Sequence, residues 1–245
     1  MRVPRVSPEA YRRVTLFALL ALCFIIVTGA ARAPAPGPEL GCSDWPNCEA
    51  GQFVAPAEFH AWVEFGNRLV TGLVSIAVIL AVLGSLVRTP RRGDLTWLSL
   101  GLVAGVVAQV VLGAIVVKTH LLPATVGAHF LVSMVLVANA VVLHRRAGRA
   151  AAPGRAVGTP GLRGLAWSLV ALTAVVLVVG TLVTGAGPHS GDPGEVDRLT
   201  LDIREVARVH GVLALTLLAL TLLTLWRVHR DPTVGRTPRR RAAGR

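Results

Sequence analysis

The stretch of sequence EFGNRLVTGLVSIAVILAVLGSLV, residues 64–87, decides the fold. Its charged residues, Glu64 and Arg68, lie at its start, and every later position through Val87 is uncharged. A helix rises about 1.5 Å per residue, so roughly 20 apolar residues cross the hydrocarbon core of a bilayer. A soluble helix of this length would need a polar face to meet water. The stretch therefore predicts a transmembrane helix whose entrance carries a carboxylate and a guanidinium.

Similar apolar blocks occur along the whole chain. With 53% hydrophobic residues and a mean hydropathy of +0.62, the 245-residue sequence is too apolar for a soluble domain. The blocks cover residues 14–31, 66–87, 95–117, 125–143, 165–185 and 206–226. Each has about the length that a membrane-spanning helix needs. The predicted fold class is all-α, a polytopic membrane protein with six transmembrane helices.

An internal repeat organises these helices. The tetrapeptide VTGA ends the first block at 27–30 and the fifth at 183–186, and a Gly/Pro-rich loop and another helix follow each copy. In this register, Asn67 corresponds to His210. The repeat predicts one complete four-helix bundle followed by half of a repeated second bundle. The predicted segments are an N-terminal tail (1–13), a first bundle (14–144) with an external loop (32–65), a linker (145–164), a half-bundle (165–226) and a basic tail (227–245).

The basic residues fix the orientation. Of the 25 Lys and Arg residues, 19 lie in the two tails and in the loops 88–94 and 145–163. By the positive-inside rule, both termini are cytoplasmic and the loop 32–65 faces outward. The net charge of +12 is thus a topology signal, and nucleic acid is not a predicted partner. A cleaved signal peptide is the alternative for the first block, and it also leaves that loop outside.

The outward loop contains a pair of cysteines in the sequence GCSDWPNC, residues 41–48. Outside the cytoplasm, thiols oxidise, so a disulfide between Cys42 and Cys48 is the expected state. Such a bridge closes the loop as a structural staple or takes part in electron transfer. Both roles remain open from the spacing, although catalytic dithiols are usually closer together.

Two histidines lie inside apolar helices. His129 and His210 each lie about one turn from the outer end of their helix, where an unpaired imidazole is unfavourable. Such a ring forms a hydrogen bond with a neighbouring helix or serves as an axial ligand of haem iron in the bundle. The two histidines together, with an external cysteine pair, favour the ligand role.

Three further polar residues lie in or beside the apolar blocks. Glu64 and Arg68 are spaced i, i+4 and either pair on the surface or present the carboxylate to the bundle. Gln109 lies within the third apolar block and needs a hydrogen-bond partner.

These motifs together resemble the haem A synthase family, also called the Cox15/CtaA family. The resemblance rests on the cysteine loop and on EFGNR (64–68), TVGAH (125–129) and VTGAGPHSGD (183–192), and it covers about residues 14–226. Members of this family contain two four-helix bundles in the membrane. They oxidise the C8 methyl group of haem O to the formyl group of haem A for cytochrome oxidase.

The resemblance also implies roles for individual residues. Glu64 matches the catalytic glutamate, His129 the iron ligand of the substrate haem and His210 the iron ligand of a haem b cofactor. Cys42 and Cys48 match the external cysteine pair, and Asn67 and Arg68 are expected in cofactor binding. The implied partners are haem O and haem A, the farnesyltransferase that makes haem O, the assembly machinery of cytochrome oxidase and the lipid bilayer. The implied location is the bacterial cell membrane.

The sequence departs from the family pattern in two places. Asn67 stands where the family commonly has a histidine, so His129 alone would hold the substrate haem. Helices seven and eight, which carry the second haem b ligand, have no counterpart after residue 226. We therefore expect a homo-oligomer through helices five and six, or a separate polypeptide that supplies them. A non-catalytic haem-binding or assembly protein is the alternative function, and a small transporter fits less well.

Overall fold

The computed structural model describes residues 5–30, 42, 44–49, 51–52, 54–149, 159–188 and 198–231. These residues form six α-helices that are long and apolar enough to cross a membrane. The helices are α1 (Pro8–Ala30), α2 (Phe59–Val87), α3 (Gly93–Lys118), α4 (Pro123–Ala147), α5 (Pro160–Ala186) and α6 (Ile203–Arg230). The predicted all-α membrane fold is confirmed. Most of the N-terminal part of the outer loop, the end of the VTGAGPHSGD motif and the basic tail after residue 231 lie outside the described residues.

Local capping signals explain where helices begin. Pro8 occupies the first position of α1, and the Ser7 hydroxyl accepts a hydrogen bond from the Ala10 amide at 3.2 Å. The Asp202 carboxylate accepts from the Arg204 amide at 2.8 Å at the start of α6. Both helices therefore extend beyond their apolar blocks into polar sequence.

The chain divides into two compact units. The first contains residues 1–151 and 184–200, and the second contains residues 152–183 and 201–245. In the first unit, α1 packs against α2 and α4, and α3 also packs against α2 and α4. These four helices therefore form a closed bundle. The second unit contains most of α5 and all of α6.

Small residues allow the helices of the first bundle to approach closely. A Cβ atom on Gly84 would lie 3.0 Å from the ring of Tyr11, and one on Gly105 would lie 2.7 Å from Leu136. Alanines at 18, 77, 81 and 140 fill much of the remaining buried core. Such contacts are typical of membrane bundles, in which packing rather than the hydrophobic effect holds helices together.

The predicted cytoplasmic end of the bundle contains polar groups that satisfy one another. The Tyr11 hydroxyl and Ser99 Oγ are 3.0 Å apart, and Thr15 Oγ1 is 3.1 Å from His144 Nδ1. These contacts join α1 to α3 and to α4. These side chains therefore serve helix packing, whereas the buried Nε of Arg88 at the same end has no hydrogen-bond partner among the described residues.

Large apolar side chains are exposed on every one of the six helices of the described residues. In the first unit Trp97 is 76% exposed, and in the second unit Trp167 is 74% exposed, each near the predicted cytoplasmic end of its helix. Tryptophans favour that depth because the ring meets lipid while its N–H meets water. The exposed apolar surface is the one that lipid would cover.

Candidate functional site

The disulfide predicted from the sequence is present. Cys42 and Cys48 are bonded to each other, and neither is exposed. They pack against Ala55 and Ala61, with Phe65 of α2 alongside. The bridge is thus buried against the first turns of α2. This burial suits a structural staple.

Glu64 and Arg68 attach this loop to α2. The Glu64 carboxylate accepts hydrogen bonds from the Cys42 amide and from Arg68 Nη2, both at 3.1 Å. Arg68 Nη1 donates to the carbonyl oxygens of Asn47 at 2.7 Å and Pro46 at 3.0 Å. Of the two alternatives that the spacing left open, the i, i+4 ion pair is the one that forms. It also clamps the disulfide loop, which the spacing did not predict.

Asn67 lies one helical turn after Glu64 on α2 and contacts α1. Its Oδ1 accepts a hydrogen bond from Thr28 Oγ1 at 2.9 Å. A Cβ atom on Gly29 would lie 3.5 Å from Asn67 Nδ2, so the amide packs directly on α1. Of the two polar side-chain atoms of Asn67, the oxygen is the better iron ligand, although a weak one. This oxygen is used in the hydrogen bond that joins α2 to α1. Thr28 was not identified from the sequence, although it belongs to the repeated VTGA motif.

His129 lies between α4, its own helix, and α3. A Cβ atom on Gly113 would lie 3.7 Å from His129 Cε1, so the ring packs against the backbone of α3. Its Nδ1 is buried and has no hydrogen-bond partner among the described residues. The ring is thus held at the outer end of the bundle with an unused nitrogen.

Gln109 supplies part of the His129 environment. Its Nε2 donates to the backbone oxygen of His129 at 3.1 Å and also to Ser133 Oγ. Ser133 Oγ itself donates to the same oxygen at 2.9 Å. The side-chain oxygen of Gln109 is buried without a partner in the described part of the chain. The partner that Gln109 was predicted to need is therefore found for its nitrogen and not for its oxygen.

The second unit contains a comparable histidine. A Cβ atom on Gly180 would lie 3.1 Å from Cε1 of His210, so this ring packs closely on α5. His210 Nδ1 is also buried, and within the described ranges it has no hydrogen-bond partner. The repeat register aligns Gly185 with Gly29, yet Gly180 is the glycine that contacts His210. The glycine that contacts His210 is therefore not the counterpart of Gly29 in the repeat.

The antiparallel order of the first bundle brings most of these residues to one end. The ends of α1 and α3 and the beginnings of α2 and α4 lie together, so Glu64, Asn67, Arg68 and His129 share the predicted outer end. His210 belongs to the other unit. We call Glu64, Asn67, Arg68 and His129 together the outer-end site.

The two histidines suit a haem better than a free metal ion. Within the described residues, no three His, Cys, Asp or Glu side chains come together to bind a metal. A haem iron receives its equatorial ligands from the porphyrin and needs only an axial side chain from the protein. A single imidazole meets that requirement through one ring nitrogen, and its proton then lies on the other. His129 and His210 therefore fit the group that the sequence implied.

Comparison with known proteins bears on the same residues. Residues 53–190 match the model of the COX15-CtaA family, described as cytochrome oxidase assembly protein. This range contains Glu64, Asn67, Arg68 and His129, whereas the cysteine pair and His210 lie outside it.

Two curated relatives carry a more specific name. Over 118 residues, the chain is 30% identical to a heme A synthase of Geobacillus kaustophilus (strain HTA426), and this match covers 47% of this chain and 36% of that protein. Over 117 residues, it is 29% identical to a heme A synthase of Geobacillus thermodenitrificans, and this match covers 46% of this chain and 35% of that protein. The matched region thus spans about a third of the length of these relatives. Because the family model matches more than half of the chain, the resemblance noted from the motifs is confirmed, and the protein belongs to the COX15-CtaA family.

Proposed function

We propose that this protein is a haem A synthase-like membrane oxidoreductase that converts the C8 methyl group of haem O into the formyl group of haem A. The observation that carries the proposal is His129, whose buried Nδ1 has no hydrogen-bond partner among the described residues, inside the part of the chain that matches the family. The names of the two curated relatives support the same reaction. Bound haem supplies the oxidising chemistry, and the protein holds and orients it.

In this proposal, each residue of the outer-end site has its own task. His129 binds the iron of the substrate haem. Conversion of a methyl group into a formyl group takes up the oxygen of a water molecule and gives up electrons, which the proposed haem b would pass to an external acceptor. It also releases protons, which the Glu64 carboxylate at the mouth of the bundle would accept or relay. Arg68 keeps that carboxylate in place at 3.1 Å. Asn67 contacts the haem from α2 without serving as an iron ligand, since its oxygen is bonded to Thr28.

The second unit is proposed to bind a haem b cofactor through His210. The packing of its ring on Gly180 fixes the ring position. The disulfide Cys42–Cys48 holds the loop over the outer end of α2. The proposed location is the bacterial cell membrane with both termini in the cytoplasm. The proposed partners are the farnesyltransferase that makes haem O and the assembly machinery of cytochrome oxidase.

A haem-binding assembly protein without turnover is the second candidate. Asn67 favours it, because the amide oxygen accepts a hydrogen bond from Thr28 and the amide nitrogen is not an iron ligand. Haem held by His129 alone would then be carried rather than oxidised. Both candidates use the outer-end site, but the enzyme would release haem A and the carrier would release unchanged haem O.

The experiment is haem analysis of the purified full chain in detergent. A reduced-minus-oxidised spectrum should show haem, and His129→Ala should remove most of the haem bound at the outer-end site. His229→Ala is the matched control, because His229 is an exposed histidine in the last turn of α6. Chromatography of extracted haem after incubation with haem O distinguishes an enzyme, which yields haem A, from a carrier, which returns haem O. A wild type that binds no haem refutes both candidates.

A further inference from the structure

The contact between α3 and α4 contains one buried acceptor and one buried nitrogen that have no partner among the described residues, Gln109 Oε1 and His129 Nδ1. The identity of the free Gln109 atom follows from its neighbours. The other end of the amide faces the backbone oxygen of His129 at 3.1 Å. Because a carbonyl oxygen only accepts, the atom that faces it is the NH₂ group. The unused atom is therefore the oxygen, which can only accept.

The unused oxygen and the imidazole lie on the same side of α3. Gln109 and Gly113 are one helical turn apart, so they share a face of that helix. The ring of His129 packs on this face, with Cε1 3.7 Å from the Cβ position of Gly113. The Gln109 side chain already contacts the backbone of His129. Turning its oxygen toward the ring would require a change of side-chain torsion within this contact.

Iron binding creates the donor that this oxygen lacks. His129 Nδ1 is sealed inside the bundle, which leaves Nε2 as the ring nitrogen that can bind an iron. A neutral imidazole carries one proton, so a ring that binds iron through Nε2 carries that proton on Nδ1. A buried N–H in an apolar bundle is costly without an acceptor.

We propose that Gln109 is a positioning residue for the haem ligand, and that its Oε1 accepts a hydrogen bond from Nδ1–H of His129 when His129 binds haem iron. Gln109 acts through His129: it fixes the ring plane and the tautomer and raises the basicity of the coordinating nitrogen. This inference rests on the proposed function, because it requires haem at His129.

The test uses haem binding and spectroscopy and does not depend on turnover. Haem is titrated into the purified full chain, and the stretching frequency of the iron–histidine bond is measured by resonance Raman in the ferrous state. Gln109→Leu removes the acceptor and should weaken haem affinity roughly 10–100-fold and lower the frequency. Gln109→Glu supplies a stronger acceptor and should raise the frequency. All variants are also made with His210→Ala, so that the other histidine contributes no signal.

Ser133→Ala is the matched control. It removes another polar contact of the Gln109 amide but leaves both unpartnered atoms in place, so the frequency should remain at the wild-type value. Equal shifts in Gln109→Leu and Ser133→Ala, or shifts of the same sign in Gln109→Leu and Gln109→Glu, would overturn the proposal, because packing alone would explain them.

The same data separate this inference from the proposed function. If His129→Ala binds haem as tightly as the wild type, haem is not held at His129, and both the proposed function and the role of Gln109 are refuted. If His129→Ala loses haem while the Gln109 variants retain wild-type affinity and frequency, only the role of Gln109 is refuted.

Discussion

Replacement of Arg68 by methionine should release the disulfide loop from α2. The guanidinium of Arg68 donates to the carbonyl oxygens of Pro46 and Asn47 and to the Glu64 carboxylate. Methionine retains an apolar stem and removes all three contacts. A hydrogen bond of a charged group contributes about 1.5–3 kcal/mol net where water is excluded and falls toward the neutral value of about 0.5–1.5 kcal/mol where water competes. An i, i+4 ion pair contributes about 0.3–0.5 kcal/mol. Because Arg68 and Glu64 are partly exposed, at 18% and 27%, we take the low end and expect a loss of about 1–2 kcal/mol.

The rate at which the disulfide is reduced measures this loss. Cys42 and Cys48 are fully buried, so a water-soluble phosphine reaches them only when the loop leaves α2. The rate then follows the fraction of open loops, and about 1.4 kcal/mol changes that fraction tenfold. We expect Arg68→Met to be reduced roughly 5–30 times faster than the wild type. The measurement is alkylation of the released thiols in detergent, followed over time by intact mass.

Two comparisons make the result specific. Arg208→Met removes an ion pair with Glu205 on α6, where the side chains are 69% and 60% exposed, and it should leave the rate unchanged. Glu64→Gln keeps an oxygen that can accept a hydrogen bond from the Cys42 amide. Its disulfide should therefore be reduced at a rate between those of the wild type and Arg68→Met. Reduction of Arg68→Met at the wild-type rate would refute the view that Arg68 holds the loop.

Three further predictions follow from other contacts. Gly105→Leu should destabilise the first bundle by about 1–3 kcal/mol or more in a detergent melt, because a Cβ atom there would lie 2.7 Å from Leu136. Gly72→Leu is the control: a Cβ atom on Gly72 meets nothing within 4 Å, so this variant should melt like the wild type. Gly180→Ala should displace the ring of His210 and weaken haem binding measured in the His129→Ala background, and unchanged affinity would contradict this. Gly211→Ala, with nothing within 4 Å, is its control. A membrane-impermeant thiol reagent applied without reductant to intact cells should label neither Cys42 nor Cys48, and labelling of both would show that the bridge is absent there.

The number of helices could be predicted from the sequence because hydropathy reports the cost of placing each segment in lipid. Their ends could not, because they depend on local capping. The helix α1 begins at Pro8 instead of residue 14, where its apolar block starts, since the cap at Ser7 outweighs the polarity of Arg12 and Arg13. Hydropathy therefore finds the membrane-embedded part of a helix and misses its solvated turns.

The site was predictable where it depends on neighbours in sequence. The i, i+4 spacing gave the pair of Glu64 and Arg68 as one of two alternatives, and the location of the loop predicted the disulfide. The contact from Cys42 to Glu64 spans 22 positions, and that from Thr28 to Asn67 spans 39, so neither follows from a local pattern. Such contacts depend on how the loop and α1 pack on α2, which is a property of the tertiary structure.

The outer-end site and the second unit use the same arrangement for their polar side chains. In each case a glycine on an odd-numbered helix makes room for a polar group on the next helix: Gly29 for Asn67, Gly113 for His129 and Gly180 for His210. The protein completes the first pair itself, because Thr28 donates to the Asn67 oxygen. It leaves a buried nitrogen of each histidine without a partner among the described residues. In a bundle surrounded by lipid, an incomplete polar ring is unfavourable unless something else compensates for it. The Asn67 oxygen therefore serves helix packing. Iron bound at Nε2 of a histidine would place the ring proton on the buried Nδ1, and at His129 the unused oxygen of Gln109 is the proposed acceptor for it.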